Sequence, residues 1–211
     1  MFNRILIIGA HFDDTELAAG ASSYKWVKEG KKVYKLTLTD NVTNFVQNNV
    51  KVDYNSTSDS SKKACDLLGV TQIDFEYERC NHLNYSTELM QKVEKIIFDL
   101  NIDTVLIHSP NDANQDHVEA FKICSTAARH CDNILIFNIN GYITRVGFAP
   151  NFFVDISGEP YMMKKKAISF YGKEHDRFGS LFDTCLERNK VWGYSIHKPA
   201  AEAFEILKMT D

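Results

Sequence analysis

The chain has 211 residues, 44% of them hydrophobic, with 24 basic against 28 acidic residues and a formal net charge of −4. That length suits one domain with a sizeable core, expected here over residues 1–211. The charge excludes the basic footprint of a nucleic-acid binder or a polybasic membrane patch. No apolar run approaches the ~20 residues of a membrane span. The five cysteines, an odd number with no C-x-x-C pair, point to reduced, buried thiols rather than a disulfide framework. Met1-Phe2-Asn3-Arg4 runs straight into an apolar segment without the features of a signal peptide, so a cytoplasmic location is expected.

In chain order, Ile5-Leu6-Ile7-Ile8 predicts a buried strand over 4–9. A helix follows over 14–29, with Leu17, Ala21, Tyr24 and Val27 on one face and Gly30 as its stop. A second strand is expected over 33–39. Residues 41–61 are polar and weakly patterned and read as a loop at the strand ends, where substrate loops usually lie. A helix over 58–68 stopped by Gly69, a strand over 72–77 and a helix N-capped by Ser86 come next. A strand over 104–108, a helix over 115–129 and a strand over 133–137 complete the alternation. Further on, a strand over 152–156, a helix over 161–171 and a C-terminal helix over 200–209 are expected. Strand alternating with helix means an α/β, Rossmann-like, doubly wound and mostly parallel three-layer sheet, with strand order about 3-2-1-4-5.

Two clusters carry chemistry. Gly9-Ala10-His11-Phe12-Asp13-Asp14-Thr15-Glu16-Leu17 sits at the C-terminal end of the first strand. His11 and Asp14, three residues apart, can reach one cation, which leaves Asp13 over as a general base for water. His108-Ser109-Pro110-Asn111-Asp112-Ala113-Asn114-Gln115-Asp116-His117 leaves the fourth strand and enters a helix. In the expected strand order these clusters face each other across the switch point, where doubly wound folds bind ligands. His11, Asp14 and His117 then offer three ligands and an open fourth position, the catalytic pattern for Zn²⁺. Read singly, these residues are ordinary: His11 as a strand-end histidine, Asp13 or Asp14 as a helix cap, Asp116 and His117 as first-turn residues. Their pairing at matching strand ends argues for the site. Tyr142, Arg145 and Trp192 are weaker candidates for a pocket lining, and Cys124, His130, His175 and His197 read as structural or surface residues.

The first cluster resembles the A-H-P-D-D-x-E-L signature of the LmbE-like, or PIG-L-like, zinc deacetylases, and Asp112–His117 resembles their D-x-H-x-D-H motif. Supporting likeness continues at 64–70, 153–157 and 201–205. The resemblance implies a Zn²⁺ enzyme that hydrolyses an N-acetyl group on an amino sugar or sugar conjugate, and so a small-molecule partner; a homo-oligomer is compatible with the sequence. Carried over, His11, Asp14 and His117 bind zinc and Asp13 is the base. Phe12 replaces the usual Pro. Asn114 stands where the family has a His that acts as acid or oxyanion donor, oriented by the following Asp, here Asp116. Asn cannot pass on a proton, but its amide can donate to an oxyanion. The Arg and Glu the family often shows around the substrate have no clear match in 40–61. A catalytically weakened zinc- or sugar-binding protein of the same fold therefore stays open. A nucleotide-binding Rossmann protein does not fit, because no glycine follows Gly9 before Gly20 and the phosphate turn is missing.

Overall fold

The computed structural model describes residues 2–45, 50–139, 144, 146–172 and 181–210. The elements are β1 (Arg4–Gly9), α1 (Asp14–Lys28), β2 (Lys32–Thr37), β3 (Thr43–Phe45), β4 (Val50–Val52), α2 (Tyr54–Leu68), β5 (Thr71–Gln72), α3 (Thr87–Asp99), β6 (Thr104–His108), α4 (Gln115–Ala127), β7 (Asn133–Phe137), β8 (Phe152–Asp155), α5 (Glu159–Ile168), α6 (Leu181–Ser195) and β9 (Ala201–Lys208). Among the described residues the main sheet runs β5-β2-β1-β6-β7-β9-β8. Its first five strands are parallel and form the expected 3-2-1-4-5 order. β9 and β8 extend it with antiparallel pairings.

The strand period of two divides the core. Ile5 and Ile7 join Leu106, Leu135 and Phe137 on one face, with α1, α2, α5 and α6 residues such as Leu17, Ala64, Ala167 and Leu186. Leu6 and Ile8 join Val105, Ile107, Ile134 and Ile136 on the other, under Val93 and Ile97 of α3 and Ile123 and Cys124 of α4. With both faces covered, the strands need no polar side, and each buried Ile or Leu contributes ~1.5–3 kcal/mol. β1 lies between β2 and β6, so the crossovers leave its C-terminal end in opposite directions and open a crevice there.

Helix ends follow local rules. Asp53 Oδ1 accepts the Ser56 N–H at 2.9 Å and caps α2, while Gly69, at φ +72°, ends it. Ser86 caps α3 as expected. α1 is broken at Ala19 (φ −141°, ψ 21°). The groups freed at the break are taken up by a fully buried ion pair. Lys164 Nζ donates to the Leu17 carbonyl at 2.7 Å and to Glu202 at 2.6 Å, and Glu202 accepts the N–H groups of Ala21 and Ser22.

Three expectations change, and one helix is added. The C-terminal helix over 200–209 is strand β9. Its Ala, Glu, Leu and Lys favour helix, but both edges of the segment are claimed by β7 and β8. Residues 41–61 are no plain loop: they hold the β3–β4 hairpin and the first turns of α2, which starts at Tyr54 rather than 58. The third strand is only Thr71–Gln72, and the chain touches the sheet again through the Thr39–Glu78 bridge. α6, which the periodicity did not single out, packs on β9 with Asn189 Nδ2 bonded to the Ala201 carbonyl at 3.0 Å.

Candidate metal centre

The first cluster is shaped by a turn that only glycine can start. A Cβ on Gly9 would meet the His11 carbonyl at 2.8 Å and Asp14 Cβ at 2.9 Å. Asp14 Oδ2 accepts the His11 backbone N–H at 2.7 Å, closing the turn. Asp13 occupies the N-cap position of α1 but makes no side-chain cap bond, so helix capping does not account for it. The carbonyl before it, Phe12 O, accepts from Lys35 Nζ at 2.5 Å and Tyr171 OH at 2.8 Å. Lys35 also reaches both Glu16 oxygens at 2.8 Å. Phe12 is fully buried against Tyr54 and Tyr77, which stiffens the turn in place of a proline ring.

The second cluster meets the first across the crevice. His11 Nδ1 lies 3.2 Å from His117 Nε2 and 3.5 Å from Asp14 Oδ2, and His117 Nε2 lies 3.4 Å from Asp14 Oδ1. The far side of each ring is already engaged. His117 Nδ1 is 3.0 Å from Asp112 Oδ2, and His11 Nε2 is 3.3 Å from Asp116 Oδ2. An N–H donated to each carboxylate leaves a lone pair on His117 Nε2 and His11 Nδ1, the tautomers these partners favour. Two lone pairs and a carboxylate therefore converge on one point. Tetrahedral ligands ~2.0–2.1 Å from zinc stand ~3.3–3.4 Å apart, so the donor set fits a zinc ion in both spacing and chemistry.

The electrostatics agree. Burial pulls the His117 and His11 imidazoles down, but the Asp14 carboxylate and further carboxylate contacts outweigh it. His117 is pushed up to about 9 and His11 rises well above its ordinary value. Burial raises Asp14, yet His117, His108 and His11 hold it well below the carboxylate range. Without an ion the site keeps extra protons where a cation fits. His108 behaves oppositely: burial and the neighbouring His117 push it down to about 4, so it is neutral. Its ring stacks on His117 (centroids 4.0 Å apart, 23° between planes), and its Nε2 lies 3.0 Å from both the Ala10 N–H and Asp14 Oδ2.

The Asp116 carboxylate does not hold the Asn114 side chain, the orienting role that the resemblance implies; only the Asp116 backbone N–H reaches Asn114. Its carboxylate accepts the Asn81 and Leu83 N–H groups at 2.6 and 3.3 Å and faces His11, while Asp112 holds His117. The reason is helical direction: successive helix residues diverge by about 100°, so Asp116 reaches the His11 ring beside His117 rather than His117 itself. Asn114 is the N-cap of α4, its Oδ1 accepting the Asp116 N–H at 2.8 Å. Its amide N–H₂ has no partner among the described residues.

Asp112 and His108 lay inside the motif segment without an assigned role, and the fold supplies it. Cys80, Lys35 and Tyr171 gave no motif signal. Beside the centre opens a polar groove of about 300 Å³, lined by Asp40, Thr43, Asn44, Arg79, Cys80 and His82. Trp192 packs against Arg188 (4.8 Å) and Phe148. Cys124 is buried, and His130 and His197 are exposed. Tyr142, Arg145 and His175 lie outside the described residues.

A family model described as PIG-L: GlcNAc-PI de-N-acetylase matches residues 6–128, which include both clusters. An Escherichia coli (strain K12) protein described as uncharacterized deacetylase YaiS is 25% identical over 170 residues, covering 78% of this chain and 88% of its own. The solved N,N'-diacetylchitobiose deacetylase of Pyrococcus horikoshii, in complex with an inhibitor, superposes with a TM-score of 0.84 at 19% identity, over 98% of this chain and 84% of that one. GalB, the 4-carboxy-2-hydroxymuconate hydratase of Pseudomonas putida KT2440, gives 0.83 at 14% identity, over 99% and 98%. At these identities the two structures show a shared fold, and that fold hosts more than one reaction. No helix among the described residues is long and apolar enough to cross a membrane. The family match spans more than half the chain and both halves of the centre, and the chain belongs to the PIG-L, GlcNAc-PI de-N-acetylase family, as a hydrolase of the N-deacetylase kind.

Proposed function

We propose that the chain is a zinc-dependent deacetylase that removes the N-acetyl group of an amino sugar or sugar conjugate. The observation that carries the metal is the convergence of His11 Nδ1, His117 Nε2 and the Asp14 carboxylate at 3.2–3.5 Å. A divalent ion held there supplies Lewis acidity and lowers the pKa of a water from ~15.7 toward ~7. Asp13 takes a proton from the attacking water as the C–O bond forms on the amide carbon. The same carboxyl returns the proton to the amine nitrogen as the C–N bond breaks. The free amide N–H₂ of Asn114 donates to the oxygen that gains charge, a position that the cap bond through Oδ1 leaves available. Asp112 and Asp116 fix the two ring orientations. The polar groove suits a hydroxyl-rich ring, and the family description and the chitobiose deacetylase neighbour point to the same substrate class.

The test is acetate release from a panel of N-acetylated sugars by zinc-loaded protein. Asp13→Asn should lower kcat by ~10²–10⁴ with zinc retained, while His11→Ala and His117→Ala should lose zinc by elemental analysis. Fully zinc-loaded protein that releases no acetate from any substrate, with turnover restored by Asn114→His, would establish instead the weakened binding protein.

A further inference from the structure

The His11 ring stands between two donor sets. Nδ1 faces His117 and Asp14, while Nε2 faces Asp116 Oδ2 at 3.3 Å. The Cys80 thiol lies within 4.8 Å of the same imidazole. One ligand atom each from His11, Cys80 and Asp116 lies within 4.8 Å of the other two. Each of the three is held. Asp116 accepts the Asn81 and Leu83 N–H groups, the Cys80 N–H donates to Asp40 Oδ1 at 3.0 Å, and His11 is fixed by the turn that binds its N–H to Asp14. Cys80 also lines the open groove beside the centre, which gives ions a path to it from solvent.

We propose that Cys80, His11 and Asp116 form a second cation site, selective for a thiophilic d¹⁰ ion such as cadmium or excess zinc, and that filling it inhibits the enzyme. A thiolate, a carboxylate and a neutral imidazole balance the charge of one divalent ion, and the thiol proton is released to solvent. Sulfur in the set favours soft ions over magnesium or calcium. The inner set, with two imidazoles and a carboxylate, also suits zinc but lacks the sulfur that favours cadmium. The two sets are coupled through one ring. A neutral imidazole has one N–H and one lone pair, so an ion on Nε2 requires the proton donated to Asp116 to move to Nδ1, where it occupies the lone pair that the inner set uses. The inner set then loses a ligand. The existence of the site stands on its own geometry; its inhibitory effect rests on the deacetylase reading.

The test uses the full chain loaded with one equivalent of zinc and titrated with cadmium. The thiolate-to-metal charge-transfer absorption reads the site, and acetate release reads inhibition. The expected result is a band that saturates near one added equivalent, together with a loss of acetate release. In Cys80→Ala the band is absent, the first zinc stays, and roughly tenfold more cadmium or greater is needed for inhibition. Cys80→Ser, closer in shape, gives the same comparison should the alanine variant fail to fold. No thiolate band at several equivalents, or a band that persists in both variants, overturns the site. A Cys80-dependent band that leaves acetate release unchanged overturns the inhibition. Protein that releases no acetate before cadmium is added refutes the deacetylase reading, while the band still decides the site.

Discussion

Two buried polar clusters hang on the first turns of α1, and they differ in how they close. Lys35, Glu16 and Tyr171 are all under 3% exposed and satisfy one another. One ammonium meets one carboxylate, the phenol bonds both Glu16 and the Phe12 carbonyl, and nothing external is required. Burial still outweighs Lys35 at Glu16 and raises that carboxyl, so the cluster secures geometry more than stability. The centre built on His11, Asp14 and His117 lies at the same depth but carries no ammonium. Its imidazoles bond outward to Asp112 and Asp116, and inward His11 Nδ1, His117 Nε2 and the Asp14 carboxylate crowd one another at 3.2–3.5 Å. Buried charge therefore does not mark the site; the convergence of several metal-ligating atoms on one point does.

The largest effect should come from removing the metal. Chelation should abolish acetate release and also change how stability depends on pH. His117 is raised from 6.5 to about 9 without an ion. Its contribution is thus fully present below the unfolded value near 6.5 and is lost as pH rises through about 9. The metal-free protein should show a falling Tm across that window, followed by calorimetry. The zinc-loaded protein should not, because the ion replaces the proton. A flat metal-free profile would mean that the donors do not converge as described.

The closed cluster should break differently. Lys35→Met strands a buried carboxylate and should cost about 3–5 kcal/mol in urea denaturation, with zinc content unchanged. Adding Glu16→Gln should restore most of that loss. If zinc leaves with Lys35, the two clusters are one unit and the contrast fails.

The smallest effect separates two jobs of one side chain. Asn114→Ala should lose a cap, ~1 kcal/mol, and lower kcat with little change in KM. Asn114→Asp keeps a capping oxygen but removes the amide donor, so it should keep stability and still lower kcat. Equal turnover in wild type and Asn114→Asp would leave the residue a cap alone.

The parallel half of the fold and the coming together of His11, Asp14 and His117 were legible because both clusters end apolar strands, and strand order alone then sets them face to face. Propensity misled at β9, whose residues favour helix until β7 and β8 claim its edges. The contact between Asp116 and His11 was not legible, because it depends on how α4 sits against the first turn. Cys80 was illegible because it reaches His11 only through the path of the chain between Thr39–Glu78 and α3.

The break in α1 gives the enzyme a helix with two separate mountings. The stub that carries Asp14 and Glu16 ends at the Leu17 carbonyl, gripped by Lys164 Nζ and Cys185 Sγ. The longer piece begins afresh on Glu202. Lys164, Cys185 and Glu202 all come from the last third of the chain, beyond the segment that matches the family model. The turn that carries the candidate ligands His11 and Asp14 is thus anchored from the far end of the sequence. Substitutions in α5, α6 or β9 can therefore re-aim the stub from a distance without touching a candidate ligand.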